Sequence, residues 1–433
     1  MRGRILVALT LFSMFFGAGN LIFPPFLGAQ AGTKMWPALA GFCLSAVGLP
    51  VLGVAAVAKT GGLEQLAGLV HPKFAAIFTL LIYLSIGPCV AIPRTASTSF
   101  EMAVLPWVEN ASVFGGGLRT VYSVVFFAVA MLMAMRPDKL TDRLGKILCP
   151  TLLVLIAVIF AGCLVWPMGA AGEATGGYES GAAVKGFLEG YQTMDTMAAL
   201  NFGIIIALNI QARGVSEEHS LVRETILSGI IAGILMAAVY AALSWVGLPA
   251  GGMNVAMENG ARVLTFMANG LFGRVGIALL GLIFLIACFN TCVGLLSCCS
   301  KYFSTIFPKI KYAAWVWIFG IASLLIANIG LDGILRFSTP VLNTIYPVAI
   351  ALIALAFLRP VIKTRRLVYA GVVLFTGISS LIHVVDTLGV LHDAVSSILY
   401  YIPGYAMGLG WVIPGIVGGV LGAAASAFSK QNA

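Results

Sequence analysis

The chain has 433 residues, of which 60% are hydrophobic and 9% are charged, and its formal net charge is +9. Soluble domains carry about a quarter charged residues, so a water-soluble fold could not cover this much apolar side chain with polar surface. The composition excludes an ordinary soluble enzyme or binding domain and predicts a protein embedded in a lipid bilayer. The basic excess is interpreted as membrane topology, and nothing indicates a nucleic-acid partner.

Apolar runs long enough to cross a bilayer follow one another along the chain, at about 20 residues per crossing. Continuous runs favour helices, because a membrane barrel shows short segments of alternating polarity. The sequence therefore predicts an all-α polytopic membrane protein with about twelve transmembrane helices. In chain order they lie near residues 4–31, 35–58, 74–102, 118–135, 146–167, 184–211, 222–246, 272–300, 313–329, 334–358, 367–389 and 397–426.

Two further segments are predicted to be helical without crossing the membrane. Residues 61–71 are typical of a helix at the membrane interface, and residues 247–271 could fold back as a short helical lid. Lysine and arginine are unevenly distributed between the loops: with the N-terminus inside, eighteen of the 25 lie on the cytoplasmic side and six on the other. The positive-inside rule therefore predicts that both termini are cytoplasmic.

Two of the predicted spans contain residues that interrupt helices. The first carries Gly17 and Gly19, and the sixth carries Gly190 and, at about mid-depth, Asp195. These two spans begin two groups of five helices with opposite orientations in the membrane. Interrupted helices at matching positions of inverted repeats are typical of a transporter's binding site near the bilayer midplane.

The predicted organisation follows from this topology. Residues 1–167 form the first repeat, residues 168–366 form the second, and residues 367–433 supply two additional helices. The two halves show no convincing similarity in sequence, so the repeat is predicted from the order and orientation of the spans alone.

The break in the first span exposes backbone groups that cannot be left bare in lipid. A half-helix that begins after Gly17, Ala18, Gly19 and Asn20 offers amide groups and a positive end that suit a carboxylate. The carbonyl oxygens before the break suit a cation. The alternative is that the glycines only kink a helix for packing.

The break in the sixth span offers the complementary chemistry. Carbonyl oxygens around Gly190, Tyr191 and Thr193 can accept from an ammonium group, with Asp195 nearby. Asp195 either holds the ammonium directly or caps the broken helix. A zwitterion, such as a free amino acid, suits this pair of breaks.

Several motifs also occur in the order known from one family. They are Phe16-Gly17-Ala18-Gly19-Asn20-Leu21-Ile22-Phe23-Pro24-Pro25, then Ile86-Gly87-Pro88 with Ala91-Ile92-Pro93-Arg94-Thr95-Ala96, and then Gly190-Tyr191 with Thr193-Met194-Asp195. On these segments the chain resembles the bacterial branched-chain amino acid:cation symporters over essentially its whole length. The resemblance implies the five-plus-five inverted-repeat fold first recognised in a bacterial leucine transporter.

The same resemblance implies uptake of leucine, isoleucine and valine across the bacterial cytoplasmic (inner) membrane, driven by sodium, with no other cofactor and no enzymatic activity. Carried over by position, the sodium site takes backbone carbonyls near Ser13 and Phe16 and oxygens of the eighth span at Ala287, Asn290 and Thr291. Asn290 departs from the family pattern, in which Thr or Ser is expected. Coupling to protons or lithium therefore stays open.

Arg94 is the basic residue predicted to lie inside a span, and an intramembrane charge indicates a functional position. Counting a rise of 1.5 Å per residue from about Phe74 places Arg94 towards the outer face. We therefore expect an ion pair with Glu101 in an outer vestibule, rather than a contact with substrate.

Three other functions are compatible with parts of this pattern. One is a transporter of another small neutral amino acid, and a second is a nutrient sensor that does not transport. The third, a membrane-embedded enzyme, is disfavoured because the four histidines are scattered among loops and helix ends and form no cluster in the sequence.

Overall fold

The computed structural model describes residues 2–108, 111–135, 137–211, 218–253, 258–362, 366–391 and 397–431. Within these ranges the chain is helical and contains no strand. Seven helical stretches in the described part are long and apolar enough to cross a membrane. The all-α membrane fold is thereby confirmed, whereas the exact number of crossings stays a prediction.

Seventeen helices follow one another along the described part of the chain. They are α1 (Arg2–Phe15), α2 (Ala18–Ala31), α3 (Met35–Cys43), α4 (Leu49–Thr60), α5 (Leu63–Gly68), α6 (Pro72–Leu84), α7 (Ala91–Ala103), α8 (Ala111–Ala134), α9 (Pro137–Val165), α10 (Tyr178–Glu189), α11 (Asp195–Gln211), α12 (Glu218–Gly252), α13 (Gly260–Ile306), α14 (Tyr312–Ala327), α15 (Leu331–Ile362), α16 (Arg366–Thr387) and α17 (Val412–Gln431). π-helical turns at Leu44–Gly48 and Ser85–Cys89 join α3 to α4 and α6 to α7.

The first and sixth predicted spans are each observed as two helices, α1 with α2 and α10 with α11. The eighth predicted span begins earlier than expected, because α13 starts at Gly260 and its backbone is kinked at Gly273, where φ is 58° and ψ is −145°. Residues 260–272 therefore form a separate N-terminal segment of α13. This segment is the short helix that the sequence predicted within residues 247–271.

The twelfth predicted span, residues 397–426, is wrong over its first half. Residues 400–411 form turns, and α17 begins only at Val412. Gly404 and Gly408 have φ values of 81° and 78°, and this left-handed conformation ends a right-handed helix. Hydropathy did not detect the turns, because the segment is apolar although it is rich in glycine.

Two of the helices at the breaks, α2 and α10, approach a neighbouring helix backbone to backbone at glycines. Gly28 on α2 faces the carbonyl group of Ser244 on α12, and Gly247 on α12 faces that of Pro25 on α2. A Cβ atom at either glycine would collide with the facing backbone. Small residues allow such close approach in membranes, where van der Waals packing drives the association of helices.

The same arrangement joins α10 to α3. Gly41 on α3 faces the carbonyl group of Ala183, and Gly186 on α10 faces that of Ala38. One half of each broken helix is therefore held at backbone contact distance against a neighbouring helix. These contacts fix where the two breaks lie.

The N-terminal segment of α13 packs against the N-terminal part of α2. Its first residue, Gly260, contacts the backbone carbonyl group of Ile22. Its N-cap residue, Asn259, donates to a carboxylate oxygen of Glu101 at 3.1 Å and to one of Asp332 at 2.9 Å. Asn259 therefore ties this segment to α7 and α15. Its side-chain oxygen also caps the N-terminus of α13 by accepting from the backbone N–H group of Arg262.

We expect Gly186→Ala to lower the thermal stability of the protein. The added methyl group would meet the backbone of Ala38, which cannot rotate away as a side chain could, and overpacking of this kind costs about 1–3 kcal/mol. Gly117→Ala in α8 is the matched control, because no described atom beyond its own turn of helix would lie within 4 Å of the added methyl group. Thermal unfolding in detergent would measure both, and equal stability of the two variants would contradict the close approach.

A candidate functional site at the two helix breaks

The first break lies between α1 and α2. α1 ends at Phe15, Gly17 is extended with φ −116° and ψ −173°, and α2 begins at Ala18. The backbone N–H group of Asn20 donates to the carbonyl oxygen of Gly17 at 3.1 Å, which closes the first turn of α2. The break therefore presents the last carbonyl groups of one helix and the first amide groups of the next. Gly17, Ala18, Gly19 and Asn20 lie at this break, as the sequence predicted, although the second helix begins at Ala18 and not after Asn20.

The second break lies between α10 and α11. A 3₁₀ turn at Gly190–Thr193 follows α10, Met194 has left-handed values of φ 66° and ψ 10°, and α11 begins at Asp195. A left-handed conformation is uncommon for a residue other than glycine and is found at functional sites. Gly190 allows this turn to approach Ser45, because a Cβ atom would collide with the serine hydroxyl group.

A buried polar side chain from each break joins the two. The side-chain amide of Asn20 donates to the carbonyl oxygen of Phe15 and, at 3.3 Å, to a carboxylate oxygen of Asp195. The other carboxylate oxygen of Asp195 accepts from the hydroxyl group of Tyr240, on α12, at 3.5 Å. The backbone N–H group of Asp195 donates a hydrogen bond to the hydroxyl oxygen of Thr193 at 3.4 Å. Both breaks therefore belong to one site.

Tyr191 lies on the side of the second break that faces α15. It is 1% exposed, and its ring stacks on that of Tyr346 with the centroids 4.3 Å apart. Among the described residues, the hydroxyl group of Tyr191 has no hydrogen-bond partner. Tyr191 also lines a small cavity of about 30 Å³ together with His383 and Trp411.

The first break also lies beside α13. A Cβ atom on Gly17 would lie 3.6 Å from Cγ2 and 3.7 Å from Oγ1 of Thr291. The Thr291 hydroxyl group donates to the carbonyl oxygen of Ala287 at 3.0 Å, whereas the buried amide oxygen of Asn290 has no partner among the described residues. Oxygen donors of these kinds suit a hard cation.

The other two predicted sodium ligands lie on the α1 side of the break. Ser13 is in the last turn of α1, and Phe16 follows the end of that helix. Phe16 stacks on Phe12 with the ring centroids 4.9 Å apart. Gly17, which immediately follows Phe16, is the residue at which the first break lies beside Thr291 of α13.

Arg94 does not lie where the sequence placed it. It is 4% exposed, and its Nη1 donates to the carbonyl oxygen of Gln192, within the second break, at 2.6 Å. Glu101, the expected partner, instead accepts from Asn259. The expectation was wrong because it assumed a straight helix from residue 74, whereas the backbone is non-helical at Gly87 within a π-helical turn.

Tyr240 and Tyr346 are members of the site that sequence reasoning missed. Both are buried, and both come from helices in which no break or motif marked them. A tyrosine in an apolar span has no distinguishing pattern. Only the packing of α12 and α15 against the broken helices reveals that these hydroxyl groups face the site.

Comparison with known proteins identifies relatives of the whole chain. A family model described as branched-chain amino acid transport protein matches residues 1–429. The branched-chain amino acid permease BrnQ of Bacillus subtilis (strain 168) is 42% identical over 432 residues, which is 99% of this chain and 98% of the permease. The permease BraB of the same organism is 38% identical over 439 residues, covering 99% of this chain and 97% of BraB. The branched-chain amino acid transport system 2 carrier protein of Pseudomonas aeruginosa is 38% identical over 406 residues, covering 93% and 91%.

Among solved structures, the chain is similar to Mhp1, a transporter of the nucleobase-cation-symport-1 family. The closed conformation with bromovinylhydantoin bound matches with a TM-score of 0.66 at 14% identity, over 98% of this chain and 93% of Mhp1. The inward-facing conformation matches with a TM-score of 0.63 at 13% identity, over 98% and 91%. At these identities the likeness shows a shared fold.

We expect Asn20→Leu to destabilise the protein more than Asn201→Leu. The first substitution removes a donor to a buried carboxylate, a bond worth about 1.5–3 kcal/mol. The second removes a buried amide whose two polar atoms have no partner among the described residues. Unfolding in mixed detergent micelles would measure the difference, and an Asn201→Leu variant as unstable as Asn20→Leu would contradict the bridge between the breaks.

Proposed function

We propose that this chain, which belongs to the branched-chain amino acid transport protein family, is a secondary active symporter that imports leucine, isoleucine and valine. The observation that carries the proposal is the meeting of two interrupted helices at Asn20 and Asp195. Interrupted helices at the midplane bind substrate and coupling ion in transporters of inverted-repeat architecture. The relatives named above are branched-chain amino acid permeases and carriers.

The helix packing supports the proposed architecture of five plus five helices followed by two. α1 and α2 pack against α12, the seventh predicted span, while α10 and α11 pack against α3 and α4, the second. Exchanging the two repeats converts the first pairing into the second. α7 packs against α13 and α8 against α14, and the same exchange maps each of these pairs onto itself.

The proposed substrate site uses the two breaks for the two charges of an amino acid. Its carboxylate binds the first amide groups of α2, at Gly17, Ala18, Gly19 and Asn20, where the helix dipole is positive. Its ammonium group binds Asp195 and the carbonyl groups of the 3₁₀ turn that contains Gly190, Tyr191 and Thr193. Both breaks are buried, so these interactions would form away from bulk water, where they are strong.

The coupling ion is proposed to bind between α1 and α13. Backbone carbonyls at Ser13 and Phe16 and oxygens at Ala287, Asn290 and Thr291 would surround it. The unpartnered amide oxygen of Asn290 supports this assignment, since a buried polar atom without a partner is costly. Sodium is the proposed ion. Asp195, a buried carboxylate within the same site, makes proton coupling the second candidate.

One sodium ion per transport cycle supplies enough free energy to accumulate the substrate inside the cell. A tenfold sodium gradient supplies about 1.4 kcal/mol, and a membrane potential of about 100 mV adds about 2.3 kcal/mol. Together these concentrate a neutral substrate by roughly several hundredfold. The proposal places the chain in the bacterial cytoplasmic membrane with both termini inside, as the distribution of lysine and arginine predicts.

The experiment that tests the proposal is uptake of labelled leucine into proteoliposomes. An inward sodium gradient should drive accumulation that excess isoleucine or valine abolishes, and replacing sodium with potassium should abolish it too. Accumulation under a proton gradient alone would replace sodium with protons as the coupling ion. Binding of leucine without uptake under either gradient would indicate a sensor and overturn the proposal.

We expect Thr291→Ala to raise the sodium concentration needed for half-maximal uptake by about tenfold, because one oxygen ligand is lost. Thr225→Ala is the matched control. Its hydroxyl group also donates to the carbonyl oxygen four residues earlier, that of Leu221, at 2.8 Å. Thr225, however, lies near the N-terminus of α12, fifteen residues before Tyr240. Unchanged sodium activation in Thr291→Ala would overturn the assignment of the ion site.

A further inference from the structure

Arg94 is a buried cation whose hydrogen bonding is incomplete. A guanidinium group has five N–H donors, and the described part of the chain accepts one of them, at the Gln192 carbonyl oxygen. The ring of Phe23 covers the guanidinium at 5.6 Å. Burying a charge is costly unless it is paired and hydrogen-bonded, so this arrangement calls for an anionic partner.

The guanidinium group lies at the beginning of α2. A Cβ atom on Gly19 would be 2.9 Å from Nη2 of Arg94, so the cation lies against the first turn of that helix. A cation is unfavourable there, because the amide groups of a helix N-terminus are themselves positive. Two positive features therefore converge on one place in the interior of the protein.

Asp195 attracts Arg94 electrostatically but makes no direct ion pair with it. Asp195 follows Gln192 by three residues, yet its carboxylate oxygens are bonded to Asn20 and Tyr240. Among the described residues, no ion pair within 4 Å joins Arg94 to a carboxylate. A positive group and a negative group thus share one buried site without contacting each other.

We propose that Arg94 binds the carboxylate of the substrate, together with the first turn of α2, while Asp195 faces the ammonium group. The inference rests on the proposed transport of amino acids and adds a specificity-determining residue to it. The hydrogen bond from Nη1 of Arg94 to Gln192 holds the guanidinium group between the breaks. The N–H groups of Nη2 remain available to the ligand. The site then requires a free α-carboxylate as well as a free amine. Amino acid amides and esters, which lack the anion, leave Arg94 unpaired and bind weakly.

The competing explanation is mechanical. Arg94 could serve only to fasten α7 to the second break through the Gln192 carbonyl group. The two roles predict different effects of substituting Arg94. If Arg94 binds the carboxylate, the substitution weakens the binding of leucine and not that of leucinamide. If Arg94 only holds α7 to the second break, it weakens the binding of both ligands equally.

The experiment compares the binding of leucine and leucinamide to the detergent-purified protein by calorimetry. We expect the wild-type protein to prefer leucine, and Arg94→Gln to weaken leucine binding by about tenfold to a hundredfold while leucinamide affinity stays the same. Arg94→Lys keeps the charge and loses the planar fork, so its affinity for leucine should lie between those of the wild-type protein and Arg94→Gln. It replaces Arg94→Gln in the experiment if that variant does not fold. Equal losses for both ligands in these variants would overturn the proposal.

Arg119→Gln provides the matched control. Arg119 on α8 has a similar set of partners, with Nη1 3.5 Å from the carbonyl oxygen of Asn328 and the Phe100 ring at 5.7 Å. We expect this variant to keep the wild-type preference for leucine, and a loss of preference equal to that of Arg94→Gln would overturn the specific role of Arg94. Absence of leucine binding by the wild-type protein would instead overturn the proposed function itself.

Discussion

Backbone amide and carbonyl groups cannot stay unbonded in hydrocarbon, and this constraint accounts for the organisation of the protein. Two helices are interrupted, and each interruption exposes groups that the protein must shield from lipid. The chain does so by burying both breaks against each other and joining them through Asn20 and Asp195. Surrounding helices then complete the enclosure, with Tyr240 from α12, Arg94 from α7 and Thr291 from α13 all reaching the same region. The polar interior is therefore a consequence of the breaks.

Much of the fold was predictable because lipid imposes a simple rule on sequence. Apolar runs of sufficient length predicted an all-helical membrane protein, and glycines with a carboxylate predicted the breaks at Gly17 and before Asp195. The motifs around these breaks also identified the family, and the comparison of the whole chain confirms it. Local signals sufficed here because each break is encoded within about ten residues of chain.

The errors arose where the outcome depends on distant residues or on exceptions to helical regularity. The segment 397–426 is apolar enough for a span, yet the left-handed glycines Gly404 and Gly408 turn the chain within residues 400–411. Arg94 was assigned to the wrong partner because a regular rise per residue ignores the π-helical turn before it. Tyr240 and Tyr346 could not be found at all, since their roles exist only through packing between helices far apart in sequence. The identities of substrate and ion still rest on proposals that transport measurements decide.

The glycine contacts described above have a mechanical consequence. Where Gly28 and Gly247 bring α2 against α12, and Gly41 and Gly186 bring α3 against α10, no side chains lie between the backbones to repack. Sliding would press the backbone atoms of one helix into those of the other, because no flexible side chain is there to move aside. Each pair must therefore travel as one rigid body during any conformational cycle. Relative motion is left to interfaces built from side chains, where rotamers can change as the bodies shear past one another.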